Sequence, residues 1–588
     1  MTARQSRVAL AGVLALAAAL NFVHIGRNGF ANTYYAGAVR SMLSSRHLFL
    51  WTSFDRGGLV SVDKPPLALW VEGLSAKVFG FSGPAILLPE GVAGVGAVWV
   101  LYLLVARHFG RVAGLVAALA LAVTPVSVAI DRDNNPDALF VFLLICAAWA
   151  GARAVEQSRL RWLLASAAFV GLAFETKMLV AAFVVPGLAL AYLLFARLRL
   201  VTRLLHLLAA AAVLLVVGGA WIAAVELTPA GDRPWLGSTS DNSALSLLFG
   251  YNGFGRVDGQ SGGTSFNGFG GVFSGTPGAF RLINDALGDQ IAWLLPLAVV
   301  GGCSAAIWAW RRRREQLGPL LIVGGWFVTG AAVLSISAGI VHTYYVSALA
   351  PAVSALAGIG AVSLFRDARR AGAWIGLPLL AVVFAAWLQV TLLDRSDYRS
   401  WLVDVVVAAA VIALSGLLAI AFFPEWPRRG AIAAAAVAIA VGGFLAAPAA
   451  WAQSTLSTPV NGVFPGAGPN FQGRGFSLAA FGSSDLDGAL SYAKAHDPGS
   501  RFVLIVSSEE EAADSVVAGE KVAAMGGFTG RETVLAPASV ASLVRSGEAR
   551  YFLLGQTTNP TIERIESVCT PVSTGLYDCA GRAAAIGE

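Results

Sequence analysis

The 588-residue chain carries 41 Lys and Arg against 35 Asp and Glu, a formal net charge of +6, with only 13% of residues charged. Soluble domains run near 25% charged, and the mean hydropathy here is +0.69, so water is not the main solvent of this chain. The pI near 9.2 does not signal nucleic acid, because the arginines sit in short clusters between apolar runs, as membrane topology is encoded.

Apolar runs long enough to cross a bilayer, about 20 residues each, recur from Val8 to Trp451. In chain order they fall near 8–25, 85–106, 112–130, 138–153, 161–175, 178–196, 204–226, 290–310, 318–340, 343–364, 372–393, 402–423 and 430–451, about thirteen in all. Leu20-Asn21-Phe22-Val23-His24 is a poor small-residue cleavage site, so the first run reads as an uncleaved span. Cys146 and Cys303 lie inside apolar runs and are expected to be buried. Arg4 and Arg7 precede the first span, and arginine clusters at 107/111, 153/159/161, 197/199/203, 311–314, 366/369/370 and 428/429 occupy every second connection. This alternation predicts a cytoplasmic N-terminus in the cytoplasmic membrane, and an odd span count then places residues after about 452 outside.

The alternate connections are of another kind. They carry Asp131 to Asp137, Glu175-Thr176-Lys177, His342-Thr343-Tyr344-Tyr345 and Asp394 to Arg399. Any one ionisable group at a span end reads equally as an interfacial anchor, but several such loops on one face point to a site at the outer boundary. Two long outer loops join them, at about 26–84 and 227–289. The first contains a helical pattern from Tyr34 to Leu43, expected to lie along the membrane surface, and then Val62-Asp63-Lys64-Pro65-Pro66. Two prolines hold Lys64 in an extended segment, where its ammonium is either a point charge for phosphate or a snorkelling anchor. The second loop, from Leu236 through Tyr251 to the glycine-dense Gly259–Gly278, reads as a mobile flap or as flexible filler.

After Trp451 the composition changes. A Gly-rich linker at 452–480, clearest at 461–476, leads to a domain at 481–588 with helices at 485–496, 509–517 and 537–546 and strands at 502–507, 522–525 and 551–554. This alternation predicts a small extracytoplasmic α/β domain behind the polytopic all-α membrane domain, 1–451. Gly526-Gly527-Phe528-Thr529-Gly530 reads as a plain turn before a phosphate cradle, since it lacks the Lys-Ser/Thr of a P-loop. Cys569 and Cys579 fall in an oxidising compartment on this topology and are expected to pair.

Val62-Asp63-Lys64-Pro65-Pro66-Leu67 and Asp133-Asn134-Asn135-Pro136-Asp137 resemble the GT-C glycosyltransferases, in the branch of the protein O-mannosyltransferases and the lipid A aminoarabinose transferase. Ser238-Thr239-Ser240-Asp241-Asn242, Phe249 to Gly253 and His342 to Tyr345 resemble the bacterial mannosyltransferase-like members with an extra C-terminal domain. The likeness covers about the first 365 residues and is weaker in the tail. It implies a GT-C fold and inverting transfer of a hexose such as mannose from a polyprenyl-phosphate donor to a glycan, glycolipid or protein acceptor at the outer face. It also implies a partner membrane glycosyltransferase that makes the donor, a divalent metal (magnesium or manganese), and no nucleotide cofactor. Lys64 matches the family's phosphate-contacting Lys, and Lys177 a Lys after the fifth span. The family usually has an acidic pair where this chain has Ala31-Asn32, and Asn32 takes no proton. Asp55, Asp63 and Asp133 are therefore the catalytic candidates, with Asp133 and Asp137 as the metal pair. Asn32, Tyr35, Lys64, Asp137 and Lys177 are candidate substrate contacts, as are Asp241, Asn242, Tyr251, His342 and Tyr345. A transporter or flippase of lipid-linked sugars is the alternative, and a scaffold displaying the tail a third reading.

Overall fold

The computed structural model describes residues 1–258, 273–423, 425–469, 485–528, 530, 532–555 and 559–587. The glycine-dense stretch at 259–272, the linker residues 470–484 and Thr529 of the glycine turn lie outside the described residues. The chain forms two compact units, one of Met1–Gly29, Leu87–Gly219 and Gly268–Arg474, the other of Phe30–Ile86, Ala220–Asn267 and Gly475–Glu588.

The first unit is the membrane bundle. Among the described residues eleven helices are long and apolar enough to cross a bilayer, or twelve if Arg111–Ala122 and Pro125–Asp131, bent by 63°, count as one span. Pro125 opens the second piece at a position where its missing N–H costs no helical bond. The thirteen spans expected from sequence exceed this count at one place, where Leu160–Phe195 runs as a single 36-residue helical stretch. Straight, it would reach about 54 Å at 1.5 Å per residue, far beyond a hydrocarbon core of about 30 Å. However, a Cβ on Gly151 would lie 2.1 Å from Leu188 Cδ2 and 3.2 Å from Ser166 Oγ. Positions 166 and 188 thus flank one point, and the stretch folds back on itself. The break is at Met178, with φ of +48°, after which a 3-10 turn leads into Val185–Phe195.

Lipid offers no hydrophobic drive between helices, so packing depends on close backbone approach at small residues. A Cβ on Gly301 would lie 2.4 Å from Gly360 Cα, and one on Gly358 would lie 2.6 Å from Ala117 N. Beside this contact Ser304 and Ser363 share a 2.7 Å hydrogen bond, and Ser304 donates to the buried Asp367. Cys146 is buried as expected, but Cys303 is exposed. It shares a helix face with Val299, Ile307 and Trp310, all exposed; apolar composition does not separate the lipid-facing side from the packed one.

The second unit is built around a five-stranded sheet of order β4-β3-β5-β7-β6, with β3 Leu504–Val506, β4 Val522–Ala524, β5 Tyr551–Leu553, β6 Thr570–Ser573 and β7 Leu576–Asp578. β3 pairs parallel with both β4 and β5, and β7 pairs antiparallel with β5 and β6. Side chains alternate between two buried faces. Leu504, Val506, Val522 and Leu553 enter one core cluster, and Ile505, Ala523 and Phe552 the other. Helices Leu486–His496, Glu509–Ala518 and Pro537–Arg545 fall where the sequence places them. A disulfide joins Cys569 and Cys579, closing the β6–β7 hairpin.

The tail does not stand alone. The first cluster also contains Tyr34, Tyr35, Ala38, Met42, Phe54, Val60 and Val62 from the first long loop. Helix Thr33–Met42 is therefore no surface helix: eight of its ten residues are buried, and a Cβ on Gly37 would meet Val516 Cγ1 at 3.3 Å. The two long loops are themselves tied by a short parallel ladder, β1 Val60–Ser61 against β2 Trp235–Leu236.

Candidate functional site

The expected residues gather into two clusters, one in each unit. In the second unit the backbone leaves β1 and reaches Asp63, whose Oδ2 lies 2.6 Å from Lys64 Nζ. Both are buried, at 5% and 7% exposure, so this is a desolvated ion pair rather than a surface one. Asn252 Nδ2 donates to the Asp63 carbonyl at 2.9 Å, and the Lys64 ammonium stands 5.4 Å from the centre of the Tyr251 ring. Tyr251 also stacks under Arg256. Below the pair is Tyr34, set by Asn32, which caps helix Thr33–Met42 through a 3.1 Å bond from the Tyr34 N–H. The Tyr34 hydroxyl accepts from the Asp63 N–H at 3.1 Å and points its own proton toward Asp63 Oδ1 at 3.5 Å. Tyr35 is buried with its ring 5.0 Å from that of Tyr34.

Three expected residues prove to be loop builders. Asp55 is fully buried and accepts from the N–H groups of Leu59 and Val60 at 3.0–3.1 Å. Burial pushes its carboxyl up to about 6, with those N–H bonds pulling the other way. It braces the 55–60 turn, with its oxygens bonded to backbone N–H groups, an arrangement that favours Asp63 over Asp55 as the candidate base. Asn242, at φ of +60°, accepts from Arg233 Nη1 at 2.5 Å and from Leu236 N at 2.9 Å. Asp241 is exposed and accepts from Ser243 N and Ser246 Oγ.

The tail contributes residues that the sequence does not flag. β3 lies between β4 and β5, so its C-terminal end is where strand order reverses, the usual ligand position in an open α/β sheet. Ser508 caps helix Glu509–Ala518 there, and Glu509 opens it. Glu509 is fully buried, and neither of its oxygens has a hydrogen-bond partner, although the Tyr34 hydroxyl is near enough to favour its ionised form. Burial first, then the charges of Glu532, Asp63 and Asp55, push its carboxyl well above the ordinary range. Glu532 follows β4, and burial with the Asp63 charge raises it to about 8. The glycine turn cradles this carboxylate: a Cβ on Gly527, at φ of +65°, would fall 1.3 Å from Glu532 Oε2.

In the first unit Asp133 and Asp137 are fully buried around the turn that starts helix Asp137–Gln157. Asp133 Oδ1 accepts from Asn135 N at 2.8 Å. Asp137 Oδ1 accepts from Lys177 Nζ at 2.5 Å and from Ser347 Oγ at 3.2 Å. Lys177 in turn lies 4.1 Å from the Tyr345 ring centre and 5.0 Å from that of Tyr344, and His342 stacks on Tyr344. The second oxygens of Asp133 and Asp137 have no partner. These residues do not fit the expected metal centre: among the described residues no group of three or more His, Cys, Asp or Glu is placed to hold an ion, and the cation facing Asp137 is already Lys177.

Residues 63–222 match the family of dolichyl-phosphate-mannose-protein mannosyltransferases, beginning at Asp63, and residues 489–568 match the family described as "Putative mannosyltransferase YkcB-like, C-terminal". The Bacillus subtilis protein named "Putative mannosyltransferase YycA" is 32% identical, covering 96% of this chain and 94% of that one. "Putative mannosyltransferase YkcB" of the same organism is 30% identical, over 94% of this chain and 89% of its own. In fold the chain is similar to ArnT from Cupriavidus metallidurans. The TM-score is 0.55 at 18% identity for its apo structure and 0.51 at 17% for the one bound to undecaprenyl phosphate, each covering 98% of both chains. On relatives matched over nearly its whole length, the chain belongs to the YycA/YkcB mannosyltransferase family of GT-C membrane glycosyltransferases.

Proposed function

We propose that this glycosyltransferase moves a hexose, mannose being the first to try, from a polyprenyl-phosphate donor to an acceptor on the outer face of the cytoplasmic membrane. The observation that carries the reading is the buried Asp63–Lys64 pair at 2.6 Å in the first outer loop. Lys64 is a point charge suited to a phosphate leaving group, and Asp63 is a carboxylate able to take the acceptor's hydroxyl proton. An inverting displacement puts base and leaving group on opposite faces of the anomeric carbon. The pair must therefore open when donor binds, Lys64 turning to the phosphate on its flexible stem while Asp63 is left to take the proton. Tyr251, already beside the ammonium, offers an aromatic face of the kind sugars stack on. The Asp137–Lys177 pair under Tyr344 and Tyr345 repeats the same chemistry and is the second candidate contact for phosphate or acceptor. Support for the lipid donor comes from undecaprenyl phosphate bound to ArnT and from the mannosyltransferase names of the relatives, which also favour transfer over the transport alternative.

The test is the purified chain in liposomes with radiolabelled undecaprenyl-phosphate mannose and, in turn, protein, glycan and glycolipid acceptors. Label should pass from lipid to one acceptor class in wild type and stay on the lipid in Asp63→Asn. Label that stays on the lipid with every acceptor, in protein shown to be folded, defeats the reading.

A further inference from the structure

The C-terminal domain places a carboxylate against the donor pair, and nothing in the proposed chemistry uses it. Glu509 stands at the reversal point of the sheet, fully buried, with both oxygens lacking a hydrogen-bond partner. A buried, unpartnered carboxylate is costly unless something else requires it. Its position is fixed from three sides: the Ser508 cap holds the helix start, the Glu509 N–H donates to Gly527 O at 2.8 Å, and the Tyr34 hydroxyl lies beside its side chain. That hydroxyl has one proton and two claimants. It already accepts from the Asp63 N–H, and its proton goes either to Asp63 Oδ1, 3.5 Å away, or to Glu509.

We propose that Glu509 is a positioning residue for the Asp63–Lys64 pair, acting through the Tyr34 hydroxyl, so that the C-terminal domain controls how readily Lys64 is released to a lipid phosphate. This rests on the reading of Lys64 as the phosphate contact. When Glu509 is ionised, its charge adds to that of Asp63, holds the ammonium in place and repels an incoming phosphate. When it is neutral, the Tyr34 proton turns to Asp63, and Lys64 faces one carboxylate instead of two. The groups facing Glu509 are Tyr34 on its helix, Asp55 and Asp63 on the first loop, and Glu532 after β4. Arg40 and Arg56 lie at the other end of the Glu509–Ala518 helix, beside Gly519, away from this charge. Burial holds Glu509 in the neutral form above the pH at which an ordinary Glu ionises, so the control operates as pH rises beyond the ordinary carboxylate range.

The experiment measures the affinity of undecaprenyl phosphate alone for the full chain in detergent, from pH 6 to 9, with thermal melts to confirm folding. The second ionisation of the lipid phosphate, near pH 6, is common to all variants and cancels in ratios to wild type. Wild-type affinity should fall by about fivefold more across this range than that of Glu509→Gln, as expected for one added like charge opposing the lipid phosphate at moderate screening. Tyr34→Phe, which cuts the link, should flatten the dependence in the same sense. Asp514→Asn, an exposed acid on the same helix, should follow wild type. If Glu509→Gln retains the wild-type pH dependence, the inference is overturned; if that variant does not fold, an unchanged dependence in Tyr34→Phe overturns it. Lys64→Ala separates the two readings. Unchanged affinity there removes the phosphate role of Lys64, whereas weakened affinity beside an unaltered Glu509→Gln leaves that role standing and removes only the control.

Discussion

At the scale of single residues, the sequence makes Asp55 and Asp63 equal candidates, and the structure separates them by what their oxygens touch. Asp63 faces a lysine; Asp55 faces backbone. Asp63→Asn should therefore cut transfer per folded molecule by on the order of a hundredfold, as for loss of a general base, on top of the stability lost when the buried Lys64 ammonium is left without its partner. Asp55→Asn should cost about 1–3 kcal/mol, since a buried N–H loses its acceptor, while activity per folded molecule stays within a few-fold of wild type. Thermal melts and turnover on the same samples check both, and the opposite pattern would return the base to Asp55. Lys64, Lys177, Tyr251 and Tyr345 are singled out by the Lys-Pro-Pro run, the loops at span ends and the family likeness, and the structure brings Lys64 beside Tyr251 and Lys177 beside Tyr345. Glu509 is not singled out. Ser508 followed by Glu509, Glu510 and Glu511 reads as a capped helix whose acids complement the dipole, and only the tertiary fold removes the first of them from water.

Among the elements, local pattern located the tail's first three helices and three strands, because each repeats its period over several residues. It missed β6, β7 and the helix Pro560–Val568; β6 is largely exposed and carries no apolar run. It also read helix Thr33–Met42 as interfacial, because a helix buried against a distant segment has the same periodicity as one lying on lipid. The Gly526–Gly530 stretch includes Thr529, outside the described residues, but at Gly527 the space a side chain would fill holds the Glu532 carboxylate. Gly527→Ala should thus destabilise the second unit on two counts, positive φ and steric overlap. Glu532 adds a pH dependence of definite sign. Its carboxyl is raised from the ordinary 4.5 to about 8, so between those values the folded state keeps a proton that the unfolded chain has lost, and stability falls as pH rises through the window. Compared by thermal unfolding, Glu532→Gln should match wild type near pH 4.5 and gain on it by several degrees by pH 9. A constant difference across that range would show that Glu532 ionises normally.

For the whole molecule, the count of spans and the side of the tail are one question. The arginine alternation argues for a cytoplasmic N-terminus, and the loop at 30–86 follows the first span, so it lies on the far side from Met1. The tail shares a core with that loop, through Tyr34, Phe54 and Val60 against Leu504, Val506 and Val516, and β1 pairs with β2 from the loop after residue 220. All three segments must then occupy the same side of the membrane. Residues 220 onward reach that side only if an odd number of crossings precedes them. The count is odd if the bent Arg111–Ala122 and Pro125–Asp131 pair and the second arm of Leu160–Phe195 both cross, or if neither does, and the fold-back of that stretch favours both. With those assignments the eleven helices counted by length, plus the bent pair and the second arm of that stretch, make thirteen, and an odd count predicts a tail opposite Met1. A reporter active only outside the cell should therefore work when fused after Glu588 or inserted after Asp232, and one active only in the cytoplasm should work at Arg312. A cytoplasmic signal at Glu588 with an external one at Asp232 would contradict the shared core itself. Reversed signals at all three sites would preserve the core and overturn only the arginine argument for orientation.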